Sequence, residues 1–216
     1  TSPQTRDNLT TTTVAGTLIT GANYTNNGTT TINGTFQINN GGFGGGTTDF
    51  VYGAAGNLIF NHNDGIYYGS PGSIDSGHKY WPGTNSPFNV IVNTNSPINL
   101  GVSRTVAGTF QTAAGVTSSS ATLTLNGIAQ INAGGFFNQA PTYGPASKLI
   151  YATGTVYNRG LEWSSNVAGV GYPNEVQVSG NTTIDYPSTG AGAFSQNLGI
   201  GKNLTIDAGS SLYLGY

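Results

Sequence analysis

Residues 30–38 read Thr30-Thr31-Ile32-Asn33-Gly34-Thr35-Phe36-Gln37-Ile38, which is two short runs of alternating polar and apolar residues around an Asn-Gly pair. Successive side chains of a β-strand point to opposite faces, so each run would bury its apolar residues on one side and leave Thr or Gln on the other. Asn and Gly tolerate the positive φ of a tight turn. The stretch therefore predicts two short strands joined by a tight turn.

The same pattern recurs along the chain. Residues 122–125 (Thr-Leu-Thr-Leu) and 204–207 (Leu-Thr-Ile-Asp) alternate in the same way, and Asn-Gly or Asp-Gly pairs stand at 27–28, 33–34, 40–41, 64–65 and 126–127. No amphipathic helix with capping residues is apparent. We predict an all-β chain in which the following side chains are buried: Ile32, Phe36, Ile38, Leu123, Leu125, Ile131, Val176, Val178, Leu204 and Ile206.

Two repeat lengths predict how the strands are arranged. Residues 15–18 return at 33–36, whereas 13–17 match 105–109 and 41–43 match 134–136. The short period suits one coil of a β-solenoid, and the long one gives two copies, about 9–101 and 102–195, with the start of a third at 196–216. We predict that 1–216 form a single right-handed parallel β-helix (β-solenoid) of about ten or eleven coils. Tandem β-sandwich domains, one per long repeat, are the alternative.

Two aromatic-rich stretches, 61–88 and 152–174, interrupt the rhythm after equivalent Leu-Ile-aromatic runs. Loops on a rigid scaffold often carry binding residues, and Tyr and Trp suit both stacking on sugars and packing over the coils. Both interpretations stay open. The candidate residues for binding a glycan or a partner are Tyr67, Tyr68, His78, Tyr80, Trp81, Tyr157, Arg159, Glu162 and Trp163.

Charge and composition argue against several classes of partner. Only 6% of residues are charged, the net charge is −2, and the six Lys and Arg stand singly. Nucleic acid and anionic membranes need clustered cations, and spanning a bilayer needs about 20 consecutive apolar residues. We therefore predict no nucleic acid and no membrane insertion. There is no Cys, so neither disulfides nor thiol chemistry are expected.

Catalysis and metal binding are weakly supported. The eight Asp and Glu are scattered, whereas glycoside cleavage needs a placed carboxylate pair. Asp75, His78 and Glu162 are the one combination that spacing leaves open. Residues 61–65 (Asn-His-Asn-Asp-Gly) have too few carboxylates for a Ca²⁺ loop and are interpreted as a plain turn. We predict a protein that is not an enzyme and has no cofactor and no metal site.

One segment resembles a known family. The runs 149–151 (Leu-Ile-Tyr), 157–163 (Tyr-Asn-Arg-Gly-Leu-Glu-Trp), 171–178 (Gly-Tyr-Pro-Asn-Glu-Val-Gln-Val) and 181–184 (Asn-Thr-Thr-Ile) resemble repeats of very large surface proteins of Bacteroidetes-type bacteria. The resemblance covers both copies, although the first lacks the Arg-Gly-x-Glu-Trp run. It implies an adhesin-like β-helix exported by type IX secretion, hence an extracellular or cell-surface location, and it supplies no catalytic residues.

These observations favour a structural or adhesive module, and fibre formation is one form that such a module can take. The alternative is a carbohydrate-binding or carbohydrate-active β-helix that uses the aromatic loops. Ice binding is a third hypothesis, since the pairs Thr11–Thr13, Thr29–Thr31 and Thr122–Thr124 could stack into a flat ladder, although β-propensity explains them equally well. Exposed strand edges are templates for association, so we expect the natural protein to continue past Tyr216 or to stack end to end.

Overall fold

The computed structural model describes residues 6–63, 73–185 and 198–213, which consist almost entirely of short strands. In chain order these begin with β1 (Arg6–Asn8), β2 (Thr11–Val14), β3 (Thr17–Thr20), β4 (Asn23–Asn26), β5 (Thr29–Ile32), β6 (Thr35–Asn39), β7 (Phe43–Gly46), β8 (Val51–Tyr52) and β9 (Asn57–Asn61). They continue with β10 (Asn89–Val92), β11 (Ile98–Leu100), β12 (Arg104–Val106), β13 (Thr109–Thr112), β14 (Gly115–Ser118), β15 (Leu123–Leu125), β16 (Ile128–Asn132) and β17 (Phe136–Phe137). The remainder are β18 (Thr142–Tyr143), β19 (Lys148–Ala152), β20 (Val156–Tyr157), a 3₁₀ turn (Leu161–Trp163), β21 (Glu175–Val178), β22 (Thr183–Ile184), β23 (Leu204–Ile206) and β24 (Ser211–Leu212).

The strands form a β-solenoid. One sheet, called the long sheet below, takes a strand from nearly every coil in the order β3-β6-β9-β10-β13-β16-β19-β21-β23. Three-stranded sheets make the other walls: β1-β4-β7, β11-β14-β17 and β20-β22-β24 on one side, β2-β5-β8 and β12-β15-β18 on the other. Every pairing between these strands is parallel, which confirms the predicted parallel β-solenoid and contradicts the antiparallel pairing of a β-sandwich.

The long sheet has nine strands, so the described chain makes fewer coils than the ten or eleven predicted. Coil length explains the difference. Asn8 hydrogen-bonds Asn26 in the next coil, 18 residues away, whereas Asn89 hydrogen-bonds Asn57 across a separation of 32 residues. The coils from β19 to β21 and from β21 to β23 are also long, at 27 and 28 residues, since Leu149 pairs with Val176 and Val176 pairs with Leu204.

Register stacks like residues on like residues and so builds the core. In the long sheet, Phe36 pairs with Leu58 and Ile38 with Phe60, and all four side chains are fully buried. Alternate residues point inward, as the period of two predicts. Eight of the ten side chains predicted to be buried are confirmed as buried: Ile32, Phe36, Ile38, Leu123, Leu125, Ile131, Val176 and Val178.

The prediction was wrong for Leu204 and Ile206, which are 41% and 45% exposed. Their register is the expected one, since Leu204 pairs with Val176 and Ile206 with Val178. Strand β23 is however the last strand of the long sheet, and no further strand of that sheet covers it in the described part of the chain.

The Asn-Gly turns serve a purpose that the sequence did not predict. Of the glycines at 28, 34, 41 and 127, only Gly41 has a positive φ, while the turn at 64–65 lies outside the described residues. A Cβ added at Gly34 would lie 2.1 Å from the carbonyl oxygen of Gly16 in the preceding coil. Here glycine is required because consecutive coils approach too closely for a side chain.

The aromatic-rich stretches are built into the wall. Within 61–88, Ile74 bridges to Leu100 of β11, and Phe50 and Tyr52 donate backbone hydrogen bonds to the carbonyls of Lys79 and Asn85. Within 152–174, β20 pairs with β22 in parallel. Both stretches are therefore insertions that lengthen a coil, as predicted, and their described parts pack against the wall.

Candidate functional site

A first aromatic cluster fills the solenoid where 73–88 joins the wall. The Tyr80 ring lies 6.0 Å from that of Phe36 and 6.1 Å from that of Phe60, and the Trp81 ring lies 5.9 Å from Phe60. Tyr80 and Trp81 are both fully buried. Strand β7 leaves space for the Tyr80 ring because Gly44 has no side chain. A Cβ at Gly44 would lie 2.9 Å from that ring. These rings therefore replace missing side chains in the neighbouring coil.

Polar contacts fasten this cluster. The Tyr52 hydroxyl donates to the Tyr80 carbonyl at 2.6 Å, and Nδ1 of His78 lies 2.9 Å from Oδ1 of Asp75. Arg104 Nη2 donates to the Asp75 carbonyl at 3.0 Å. Burial lowers the pKa of His78 against the opposing effect of Asp75, so burial favours the neutral imidazole. The arrangement stabilises the chain around residues 73–88.

A second cluster lies beneath the 3₁₀ turn. Arg159 forms an ion pair with Asp185, both side chains being almost fully buried, and its guanidinium carbon lies 5.4 Å from the centre of the Trp163 ring. Trp163 is 2% exposed, and its Nε1 donates to the Gly199 carbonyl at 3.0 Å. Such a stacked, paired arginine holds the turn against β22 and the chain that follows it.

Glu162 is the most unusual group of the second cluster, because it is a fully buried carboxyl. Its Oε1 accepts hydrogen bonds from the Tyr151 hydroxyl at 3.2 Å and from the Gly160 amide at 2.9 Å, while Oε2 makes none. Burial raises the pKa of Glu162 despite these hydrogen bonds. Burial, together with the Glu162 charge, also raises the pKa of Tyr143, Tyr151 and Tyr157.

The predicted site residues fall into two separate clusters. His78, Tyr80 and Trp81 lie in the first; Arg159, Glu162 and Trp163 lie in the second and are equally buried, with Tyr157 half-buried beside them. Tyr67 and Tyr68 lie outside the described residues. Neither tryptophan presents an open face on which a sugar could stack. The combination of Asp75, His78 and Glu162 is also not assembled, since β11, β14 and β17 separate the first two from the third.

Family models, curated proteins and solved structures give no match to this chain. Its own residues must therefore carry any functional argument. In the described ranges no group of three or more His, Cys, Asp or Glu is placed to hold a metal ion. Among those same residues, no helix has the length and apolar character needed to cross a membrane.

A polar cleft that the sequence analysis did not predict opens where three strands of the long sheet, β6, β9 and β10, end. It has a volume of about 460 Å³ and is called the Asn cleft below; its lining is Asn39, Asn40, Asn61, His62, Asn63, Thr94 and Asn95. The signal was an Asn directly after three successive apolar strand ends, in Gln-Ile-Asn39, Ile-Phe-Asn61 and Ile-Val-Asn93. It went unnoticed because the three strands are separated by unequal lengths of chain.

The threonine ladder forms only in part. Thr11 and Thr13 of β2 stack on Thr29 and Thr31 of β5, but Thr31 then pairs with Val51. Thr124 stands between Thr105 and Thr142 on the corresponding later sheet. Thr122 lies just before β15 and does not form a second column beside Thr124. The two parallel columns of Thr that an ice-binding plane requires therefore end after two coils.

Proposed function

We propose that this chain is a structural or adhesive module of a secreted or cell-surface protein. The observation that carries the proposal is the nine-stranded parallel sheet with both aromatic clusters packed inside the solenoid. The chain uses its largest side chains and its buried ion pair to stiffen a continuous wall. A stiff, extended scaffold suits a protein that spans distance or presents a surface.

The outer face of the long sheet supports an adhesive role. Register aligns one outward-facing residue from each of the nine strands into a central row, consisting of Ile19, Gln37, Ile59, Ile91, Gln111, Gln130, Ile150, Gln177 and Thr205. The row carries no charge. In the adjoining row Lys148 and Glu175 are register partners, so their opposite charges offset one another. A surface whose central row is uncharged suits contact with neutral partners through many weak interactions.

The resemblance to Bacteroidetes-type surface repeats supports an extracellular location and export by type IX secretion, and both belong to this proposal. In a structural role, copies of the chain would associate with one another. Leu204 and Ile206 point inward yet lie exposed on the edge strand β23, and an exposed apolar edge is a template for pairing with a second copy.

Beads coated with the purified chain test adhesion and self-association in one assay. We expect beads that aggregate with one another, or that are retained under flow on surfaces of neutral polysaccharide or extracellular-matrix protein. Ile206→Thr keeps β-propensity while removing apolar edge surface, so it should reduce aggregation; Ile128→Thr, the same change at a 38% exposed site in the central strand β16, is the control. Beads that neither aggregate nor adhere above an albumin coating would contradict the proposal.

A further inference from the structure

The Asn cleft is formed by three successive turns at one edge of the long sheet. These turns follow β6, β9 and β10, and they place Asn39–Asn40, 61–63 and Thr94–Asn95 side by side. The three strand-end asparagines form a ladder: Asn61 Nδ2 donates to Asn39 Oδ1 at 3.1 Å, and Asn93 Nδ2 donates to Asn61 Oδ1 at 2.9 Å. The next coil has Ala113 after β13, so the ladder ends at Asn93.

The ladder fixes the orientation of the amides before any ligand arrives. Gln37 Nε2 donates to the same Asn39 oxygen at 2.8 Å, and the Asn63 backbone amide donates to Asn40 Oδ1 at 2.6 Å. An amide NH₂ has two hydrogens, and the ladder uses one hydrogen of Asn61 and one of Asn93. Donors and acceptors that are already oriented lower the entropic cost of binding, because the side chains of the site do not have to become ordered when a ligand binds.

The chemistry of the lining narrows the class of ligand. Among the described residues, the lining contains no Lys, Arg, Asp or Glu and no apolar side chain; apart from the buried His62, its side chains are amides and one hydroxyl. A charged ligand would lose hydration without gaining a counter-charge, and an apolar ligand would meet no apolar surface. A sugar hydroxyl both donates and accepts, as an amide does, and the volume of about 460 Å³ lies in the range of small-molecule sites.

We propose that the Asn cleft binds a neutral saccharide, two or three sugar units of an uncharged glycan. This deepens the proposed adhesive role by giving it a ligand class. No Tyr, Trp or Phe lines the cleft within the described part of the chain, so each site binds weakly, with a Kd on the order of 1 mM. Several copies on one surface would raise the overall affinity through effective concentration.

The test is a titration of ¹⁵N-labelled protein followed by backbone amide shifts. The probes are cellobiose, lactose, maltose and N,N′-diacetylchitobiose, each raised well above the expected Kd. We expect saturable shifts confined to the turns at 39–40, 61–63 and 94–95 with at least one of them. No site-specific shift with any of the four, or shifts located elsewhere, would overturn the proposal.

Matched variants make the test specific. Asn39 and Asn132 occupy equivalent strand ends, and each accepts a 2.8 Å hydrogen bond from the Gln two residues before it, but only Asn39 lines the cleft. Asn39→Ala should weaken binding about tenfold, whereas Asn132→Ala should leave it unchanged. Equal weakening by both would overturn the proposal. Thr94→Ala, at an exposed position, checks the cleft independently of the ladder. Bead adhesion that persists without sugar binding would reject this site alone.

Discussion

At the scale of single residues, Glu162 combines full burial with only half of its carboxyl group hydrogen-bonded. In the same cluster Arg159 forms an ion pair with Asp185, the Tyr151 hydroxyl donates to the Glu162 carboxyl, and the Glu162 charge also acts on Tyr143 and Tyr157. Burial raises the pKa of Glu162 above that of an exposed glutamate. At a pH between the pKa of Glu162 in the unfolded chain and its higher pKa in the native protein, the native protein therefore binds a proton that the unfolded chain releases.

We predict that this proton makes stability depend on pH with a definite sign. Between the unfolded and native pKa values the native state binds more protons, so the free energy of unfolding falls as pH rises above the unfolded pKa. Below that pKa both states are protonated and there is no penalty. Glu162→Gln should remove this decline, because glutamine is neutral and keeps an Oε1 for Tyr151 and Gly160.

Thermal unfolding of both proteins from pH 4 to pH 9 measures the effect. We expect the difference in Tm to be small at the acidic end and to grow with pH in favour of the glutamine variant. Asp207→Asn, which also involves a carboxylate but a less buried one that accepts from Gln177 at 2.7 Å, is the control. A Tm difference that stays constant across the range would show that Glu162 carries no net proton uptake.

Residue-level reasoning from sequence succeeded for strand side chains and left two interpretations open for the aromatic stretches. Alternation is a local property, so Phe36 and Ile38 could be assigned to the core from their neighbours alone. The burial of Tyr80 depends on Gly44, which lies on another coil, and sequence gives no distance between them. Tyr and Trp next to charge are equally typical of exposed recognition and of buried packing, so composition could not decide.

At the scale of strands and turns, the spacing between coils depends on glycines at the turns. A Cβ at Gly34 would come within 2.1 Å of the Gly16 carbonyl oxygen, whereas a Cβ at Gly16 would meet nothing within 4 Å. Neither residue has a positive φ, so backbone strain does not separate them. The two glycines occupy equivalent turns and differ in their surroundings, because no described residue lies next to a Cβ at Gly16 whereas the preceding coil lies next to one at Gly34.

We predict that Gly34→Ala is destabilising and that Gly16→Ala is not. Overpacking against backbone costs about 1–3 kcal/mol, because the carbonyl cannot rotate away as a side chain could. Gly16→Ala should lie within about 0.5 kcal/mol of the parent or slightly above it, since alanine restricts the unfolded chain. Urea unfolding at one pH measures both. Equal losses in the two variants would show that turn conformation, and not coil spacing, requires glycine.

At the scale of the whole molecule, the solenoid was predictable because its two signatures, alternation and the period of 18 to 19 residues, are both visible in the sequence. The number of coils was not, because insertions lengthen some coils well beyond that period. Asn89 continues the column of Asn57 only after 32 residues, and nothing in that stretch repeats. The Asn cleft was hidden for the same reason.

In a solenoid each coil is buried mainly against its two neighbours. Local stability should therefore differ from coil to coil along the axis. We predict that amide hydrogen exchange in the long sheet is slowest in β9, β10, β13 and β16 and fastest in the edge strands β3 and β23, because edge strands open without breaking the central pairings. Two core substitutions sharpen the test. Val178→Ala, next to β23, should speed exchange in β21 and β23 while leaving β6 unchanged, and Ile38→Ala in β6 should do the reverse. Each truncates a fully buried side chain of the same sheet, so the two variants differ chiefly in their position along the solenoid axis. Exchange measured by mass spectrometry on peptides from each strand gives the pattern directly. If either substitution accelerates all nine strands equally, the chain opens as one cooperative unit and the nearest-neighbour account of its stability fails.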